Sequence, residues 1–595
     1  MVLAPVLMSF DFRNTNTLWA SVLVGTLVRL GLKTAVVSPG SRCAPLTLAL
    51  ATHPQVEALP ILDERSAAFF ALGLAKRTGC PSLLVCTSGT AAAHYYPAVI
   101  EARESQVPLL VLSADRPPQL RHCASGQTID QQKLFGNFPN WYAELALPQA
   151  DLTLLAYLRQ TLVQAWHRSL WPTPGPVHLN CPLEDPLAPV ADGLAAALPG
   201  QLDDDFWRAL GPIPGPIDPP GPLLTDLAAQ LHHWQGCDRG LIIAGPAQPP
   251  HPLPYSQALA TLSRCLGWPV LAEALSPLRQ RASLNPNLVT SYDAILTRMG
   301  NSPDLVPELV LQVGPLPTSK TLRQWLQRSQ PRRWLVGPGV ANLDPLHGPT
   351  TALGASLEQL AQAAAPLAPP PHPSAYWQRW LEQEHRTRQH LDQTLAGLSN
   401  LFSGKVPWLM AQVLPPQTPV VIANSLPIRE AEWFWPPSDR GLRPLCNRGA
   451  NGIDGTLSTA LGVAHGGTPT VLLTGDLALL HDTNGWLSLP GLRGHLTVVV
   501  INNQGGGIFQ GLPIAQFDPP FEQFFAMPQR VDLNHLCAAY GVSYERVTRW
   551  EQLRACLSFL PSRGARVLEV PCDRRWDQQQ RQQLLSGSNQ ALDGD

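Results

Sequence analysis

Gly475-Asp476 and Asn502-Asn503-Gln504-Gly505-Gly506 are the residues of this chain best suited to chemistry. Each follows an apolar run, Thr470 to Thr474 before the acid and Leu496 to Ile501 before the amides. Both runs read as buried parallel strands, so acid and amides should emerge together at the carboxyl edge of one sheet. An Asp carboxylate, an Asn carbonyl and a backbone carbonyl are hard oxygen ligands, suited to Mg²⁺ held against a phosphate ester. The glycines allow the backbone to approach that phosphate closely. The pattern is the layout of a diphosphate-and-metal site.

The elements that would position such a site recur along the chain. Thr34–Val37 reads as a strand ending in Ser38-Pro39-Gly40-Ser41-Arg42. Asp63 caps a helix running through Ala68 and Leu72 to a stop near Gly79, and Glu64 opens it. Ser82–Cys86 reads as a strand, Thr90–Ala102 as a helix and Pro108–Ser113 as a strand. Further strands are expected at Gly240–Ala244, Pro269–Ala272, Leu309–Val313, Arg333–Val336 and Ala565–Val570. Strands alternating with helices predict an α/β fold with doubly wound parallel sheets. Proline-rich joints around Pro186–Gly221 and Ala363–Pro373 separate three blocks, expected as domains 1–190, 191–374 and 375–595, with a disordered polar tail from about Gly587.

Bulk properties narrow the function classes. At 595 residues the chain exceeds one hydrophobic core, and 45% hydrophobic with 14% charged residues describes a globular protein. A formal charge of −2 gives no pull toward nucleic acid. The 11 cysteines form no Cys-x-x-Cys pair, which argues against a disulfide framework or a zinc site and for reduced, mostly buried thiols in a cytoplasmic protein. No apolar run approaches the roughly 18–20 residues that span a bilayer, so no membrane insertion is expected. The apolar start, Met1 to Phe10, has no basic leader. Lysine occurs only at Lys33, Lys76, Lys133, Lys320 and Lys405, and arginine carries the remaining basic charge.

Asn503 lies 27 positions after Asp476, which resembles the thiamine diphosphate (ThDP) motif. Glu64 in the first block adds a second element of that pattern, a carboxylate able to face the aminopyrimidine ring. On further motifs the chain resembles, from about Asn16 to Val570, the family of 2-succinyl-5-enolpyruvyl-6-hydroxy-3-cyclohexene-1-carboxylate (SEPHCHC) synthases of menaquinone and phylloquinone biosynthesis. The first block carries Ser38-Pro-Gly-Ser-Arg42 with Pro45-Leu-Thr-Leu, Asp63-Glu-Arg65, Thr87-Ser-Gly-Thr-Ala91, Ala114-Asp-Arg-Pro-Pro118 and Asn180-Cys-Pro182. The third carries Asn424-Ser-Leu-Pro-Ile-Arg429, Asn447-Arg-Gly-Ala-Asn-Gly-Ile-Asp-Gly455 and Met527-Pro-Gln529. The middle block matches weakly except at Lys320.

The resemblance implies pyrimidine-binding, central and diphosphate-binding domains. It also implies a transferase that decarboxylates 2-oxoglutarate and adds the four-carbon unit to isochorismate, with ThDP and Mg²⁺ or Mn²⁺. Asp476, Asn503 and the Gly505 carbonyl match the metal ligands, with Gly475 and Leu477 beside the cofactor and Ile453 as the wedge that bends it. Arg429 and Ser425 match positions holding the distal carboxylate of 2-oxoglutarate, and Arg448 a neighbouring arginine. Ser41, Arg42, Arg116, Gln127 and Lys320 match positions facing isochorismate; Ile508, Phe509 and Leu512 match an apolar wall. Glu64, Arg429, Arg448 and Gln127 form the implied catalytic set.

The chain departs from the family pattern at Gly126, where relatives commonly carry an amide, and at the third glycine of Gly505-Gly-Gly507. Another ThDP-dependent 2-oxoacid decarboxylase or carboligase would explain Glu64 and the metal motif but leave Ser38–Arg42 and the Arg429/Arg448 pair unused. A nucleotide-binding regulator is disfavoured because no Gly-x-Gly-x-x-Gly follows the first strand. The family plan also implies a homodimer or homotetramer, with Glu64 and the diphosphate site supplied by different subunits.

Overall fold

A computed structural model describes residues 10–195, 198, 202–212, 221–337 and 342–587. The first nine residues, most of the Gly211–Pro222 part of the first joint and the expected tail beyond Gly587 lie outside them.

Three six-stranded sheets, parallel at every pairing, make this an α/β protein. The first contains β1 (Thr34–Val37), β2 (Glu57–Pro60), β3 (Ser82–Cys86), β4 (Leu109–Asp115), β5 (Trp141–Glu144) and β6 (Pro176–Pro182), in the order β2-β1-β3-β4-β6-β5. The second contains β7 (Gly240–Ala244), β8 (Val270–Ala272), β9 (Leu288–Val289), β10 (Leu309–Val313), β11 (Arg332–Val336) and β12 (Thr350–Ala352), in the order β12-β11-β10-β7-β8-β9. The third contains β13 (Pro419–Ile422), β14 (Arg443–Leu445), β15 (Thr470–Gly475), β16 (His495–Asn502), β17 (Ser543–Arg546) and β18 (Gly564–Pro571), in the order β14-β13-β15-β16-β18-β17.

Central strands are buried along nearly their whole length, which is why β3, β4 and β16 are near-continuous apolar runs. Parallel strands are joined by crossovers, so the loops that leave the carboxyl edge are free to carry ligand-binding groups. The chain divides into two compact units: Met1–Ile217 with Asn447–Gly466 and Asp482–Arg493, and Asp218–Cys446 with Gly467–His481 and Gly494–Asp595. The first unit holds the first sheet, around a core of Leu18, Leu23, Leu83, Leu110, Leu162 and Val177. The second holds the other two sheets, with cores centred on Ile242, Leu259 and Leu311 and on Val420, Val471, Val499 and Leu568.

The Glu64–Thr78 helix forms for reasons visible in its sequence. Asp63 accepts a hydrogen bond from the Arg65 amide at 2.9 Å, Glu64 complements the positive helix start, and Lys76 and Arg77 complement its end. Gly79, at φ 70°, ends it in the left-handed region. This helix packs against the Thr456–His465 helix of the same unit at almost backbone distance. A Cβ on Gly73 would lie 2.1 Å from the Thr459 carbonyl oxygen, and one on Gly462 would lie 2.1 Å from that of Phe70. Only glycine at both positions permits the approach.

The expected single helix over Thr90–Ala102 is two, Thr90–Ala93 and Tyr96–Glu104. Pro97, which has no N–H and keeps the preceding backbone from continuing a helix, sits in the first turn of the second and explains the break. All 11 cysteines are free thiols, six of them buried. No helix of the described residues is long and apolar enough to cross a membrane.

Candidate cofactor and substrate site

β15 and β16 are neighbours in register, with Gly475 opposite Ile501, so Asp476 and Asn503 leave the sheet side by side. Both are buried, at 6% and 7% exposure. The Asp476 carboxylate accepts the Leu477 amide at 2.9 Å and the Gly505 amide at 2.7 Å. Two neutral donors compensate its burial poorly, and desolvation pushes its pKa up to about 6. Asn503 Oδ1 is buried without a hydrogen-bond partner, while a Cβ on Gly507 would lie 2.3 Å from Asn503 Nδ2. An under-compensated carboxylate beside an orphaned amide oxygen is what a divalent cation would satisfy, so these residues fit the implied metal.

The glycines here have specific work. Gly505 sits at φ 123°, and a Cβ there would lie 2.0 Å from the Ala526 carbonyl oxygen. The space above Gly475 is open, with nothing within 4 Å of where a Cβ would lie. Arg574 fixes the intervening turn by donating to the Gln504 carbonyl at 2.8 Å. Loop 503–507 also meets the start of the Leu426–Phe434 helix, where Leu426 Cδ2 lies 3.5 Å from a Gly507 Cβ. Ser425 precedes that helix at φ 70°, and its carbonyl accepts from the Arg429 guanidinium. Ser425 and Arg429 therefore stand at the same edge as Asp476 and Asn503. Ile508 and Phe509 follow on a short 3₁₀ turn, with the Phe509 ring edge-on to Phe525 at 5.8 Å; Leu512 is exposed.

In the first unit, Glu64 is half-buried and lines a cleft of about 490 Å³ with Leu62, His94, Asn484 and Leu487. Asn484 Nδ2 donates to Asp63 at 2.8 Å. Ser41 is exposed; Arg42 is buried and donates to the Leu183 carbonyl at 2.9 Å. Arg116 donates to the Gly126 carbonyl at 3.2 Å. Ser88 and Gln127 bond reciprocally, hydroxyl to carbonyl at 2.9 Å and side-chain amide to carbonyl at 3.0 Å. Gly40 abuts Thr87, so the loops after β1, β3 and β4 share one edge and bring Ser41, Arg42, Arg116 and Gln127 into one neighbourhood. Arg448 and Ile453 lie in the Asn447–Gly455 loop of this unit. Lys320, exposed at the start of the Lys320–Ser329 helix, and Leu477 belong to the second unit.

Comparison with known proteins fits this geometry. Family models described as the N-terminal TPP binding domain of thiamine pyrophosphate enzymes, the middle domain of thiamine pyrophosphate and the C-terminal TPP binding domain match residues 19–134, 225–420 and 438–570. A 2-succinyl-5-enolpyruvyl-6-hydroxy-3-cyclohexene-1-carboxylate synthase of Synechococcus sp. (strain JA-3-3Ab) is 56% identical over 98% of this chain and 98% of its own length. Proteins of that name from Trichodesmium erythraeum and Microcystis aeruginosa are 52% and 53% identical over 96% of this chain and 98% and 99% of theirs. The chain belongs to the SEPHCHC synthase family.

Within this chain, several contacting groups have no signal in the sequence. His94, Asn484 and Leu487 reach the Glu64 cleft from segments without a motif. Buried Glu101, ion-paired with Lys76 at 3.6 Å, accepts the Gly449 and Ala450 amides at 3.0 and 2.7 Å and so fixes the loop bearing Arg448. An amphipathic helix position is all the sequence reveals of Glu101; the two amides it accepts lie 348 and 349 residues away.

Proposed function

We propose that this chain catalyses ThDP-dependent decarboxylation of 2-oxoglutarate and joins the remaining four-carbon unit to isochorismate, giving SEPHCHC and CO₂. The observation that carries the reading is the pairing of buried Asp476 with the unpartnered Asn503 Oδ1 at one sheet edge. The match to SEPHCHC synthases over nearly the whole chain supports it against a general ThDP carboligase.

Asp476, Asn503 and the Gly505 carbonyl would hold Mg²⁺ or Mn²⁺. The Gly505 carbonyl already accepts the Gly507 amide at 2.9 Å and retains a second lone pair. The open space at Gly475 admits a diphosphate, with Leu477 beside it and Ile453 as the apolar prop. When bound, ThDP supplies the electron sink that the carbon chemistry requires. Glu64 would hold a proton where the aminopyrimidine ring binds, and burial of its cleft by a second protomer would strengthen a hydrogen bond made there. Exposed Leu62 (64%) and Leu487 (43%) beside Glu64 are apolar surface that such a protomer would cover. A homodimer or homotetramer follows.

Both substrates are carboxylates, and the arginines answer that charge. Ser425, Arg429 and Arg448 take 2-oxoglutarate; Ser41, Arg42, Arg116, Gln127 and Lys320 orient isochorismate; Ile508, Phe509 and Leu512 exclude water. The test is a purified-protein assay with ThDP, Mg²⁺, 2-oxoglutarate and isochorismate, following CO₂ and the coupled product. Stoichiometric formation of both is expected. Preference for pyruvate, or CO₂ release indifferent to isochorismate, would return the chain to a general 2-oxoacid decarboxylase.

A further inference from the structure

Asn180 lies near the carboxyl end of the first sheet's β6, inside a buried polar network outside the residues assigned to the reaction. It is 0% exposed, yet all four hydrogen-bonding positions of its amide are filled. Oδ1 accepts from the Ser113 hydroxyl at 2.9 Å and from Gln131 Nε2 at 3.0 Å. Nδ2 donates to Asp115 at 2.8 Å and to Glu144 at 3.2 Å. The orientation is forced, because a flipped amide would turn its oxygen toward two carboxylates.

From this amide, two chains of contacts lead to residues assigned above to isochorismate. Asp115, held by Asn180 and by Arg121 at 3.0 Å, accepts the Arg116 backbone amide at 2.7 Å and so sets the direction in which Arg116 leaves β4. Gln131, held by Asn180 and the Ala114 carbonyl at 3.2 Å, accepts the Gly89 amide at 2.8 Å. The residue before Gly89 is Ser88, which bonds reciprocally with Gln127. Gln127 is kept at φ 56°, a left-handed conformation that a non-glycine residue adopts only when its surroundings impose it. Ser113 is anchored in turn by His178, 2.7 Å from its hydroxyl, and burial keeps that imidazole neutral by pushing its pKa down to about 3.

We propose that Asn180 is a positioning residue for the second substrate, a buried amide that fixes Arg116 and Gln127 without touching isochorismate. The inference rests on the functional reading above. It predicts a selective defect, because among the described residues the bonds of this network run to Arg116 and Gln127.

The test uses full-length holoenzyme, measuring ThDP affinity by fluorescence quenching and KM for each substrate. Asn180→Ala should raise KM for isochorismate about tenfold or more, the loss typical when a buried hydrogen-bonding partner is removed, with ThDP affinity and KM for 2-oxoglutarate within about twofold. In an Arg116→Ala background the same substitution should cost less than in the wild type, since one of its two branches is already lost. Gln131→Met, which keeps side-chain volume and deletes one branch, should raise KM for isochorismate about threefold and decides the matter if Asn180→Ala does not fold. Proportional loss of all three quantities, or an unchanged isochorismate KM in Gln131→Met, would overturn the role of Asn180. Wild-type protein that fails to consume isochorismate would overturn the functional reading itself, and this inference with it.

Discussion

The first and third sheets are two copies of one topology carrying different chemistry. Their strand orders, β2-β1-β3-β4-β6-β5 and β14-β13-β15-β16-β18-β17, are the same permutation. After its third strand the first sheet presents Thr87-Ser88-Gly89, whereas the third presents Asp476. After its fourth strand the first presents Arg116, and the third presents Asn503 and the Gly505 turn. The helices after the second strand, Glu64–Thr78 and Thr456–His465, correspond in the same way and cross at Gly73 and Gly462. Sheet topology therefore decides where loops emerge, and the residues in those loops decide whether an edge would suit a cation or, as proposed for the first sheet, an organic acid.

The comparison can be broken most severely at the cation edge. Asp476→Ala removes the only carboxylate ligand proposed for the metal and should abolish measurable ThDP binding, a fall of at least about 10³-fold, read by calorimetry with Mg²⁺ present. Retained affinity would mean that the third sheet does not hold the diphosphate. Glu64→Gln should leave that affinity nearly unchanged while lowering turnover by roughly 10²–10⁴-fold, the range for loss of a positioned acid–base group. Arg429→Ala separates substrate from cofactor on the third sheet: KM for 2-oxoglutarate should rise about 10–100-fold, as for a lost charge-assisted hydrogen bond, with ThDP affinity preserved. Equal loss of both would remove Arg429 from the substrate. The smallest effect is on stability. Gly462→Ala places a methyl group against the Phe70 carbonyl and should destabilise by about 1–3 kcal/mol, seen as a lower thermal midpoint, without changing the KM of either substrate.

Much of this arrangement is legible in the sequence, for particular reasons. Apolar runs such as Leu496 to Ile501 mark central strands because parallel strands are buried on both faces, and the acid and amides that end them mark the site. Asp63 and Gly79 delimit the Glu64 helix because caps are local chemistry. Edge strands are not legible: β12, β14 and β17 are three or four residues long, and β17 (Ser543–Arg546) is largely exposed and polar. The Thr90–Ala102 segment misleads because its apolar pattern continues through the break at Pro97. Long-range polar pairs are the least visible. Arg279, fully buried, donates to Glu432 and to the Trp435 carbonyl, and burial raises the Glu432 pKa to about 8, but sequence offers only an arginine and a glutamate 153 residues apart. Asn180 is visible as a motif residue, but Gln131 carries no signal of its own, and their joint hold on Arg116 and Gln127 exists only in three dimensions.

Co-expression of differently tagged Glu64→Gln and Asp476→Ala chains tests the central claim most directly, that a catalytic carboxylate from one sheet type serves a diphosphate edge from the other across two protomers. Each variant alone should be nearly inactive. The isolated mixed dimer should recover about half of wild-type turnover, because one of its two shared sites then has both groups intact. A mixed dimer as inactive as its parents would contradict the account, since both groups of every working site would then have to come from a single chain.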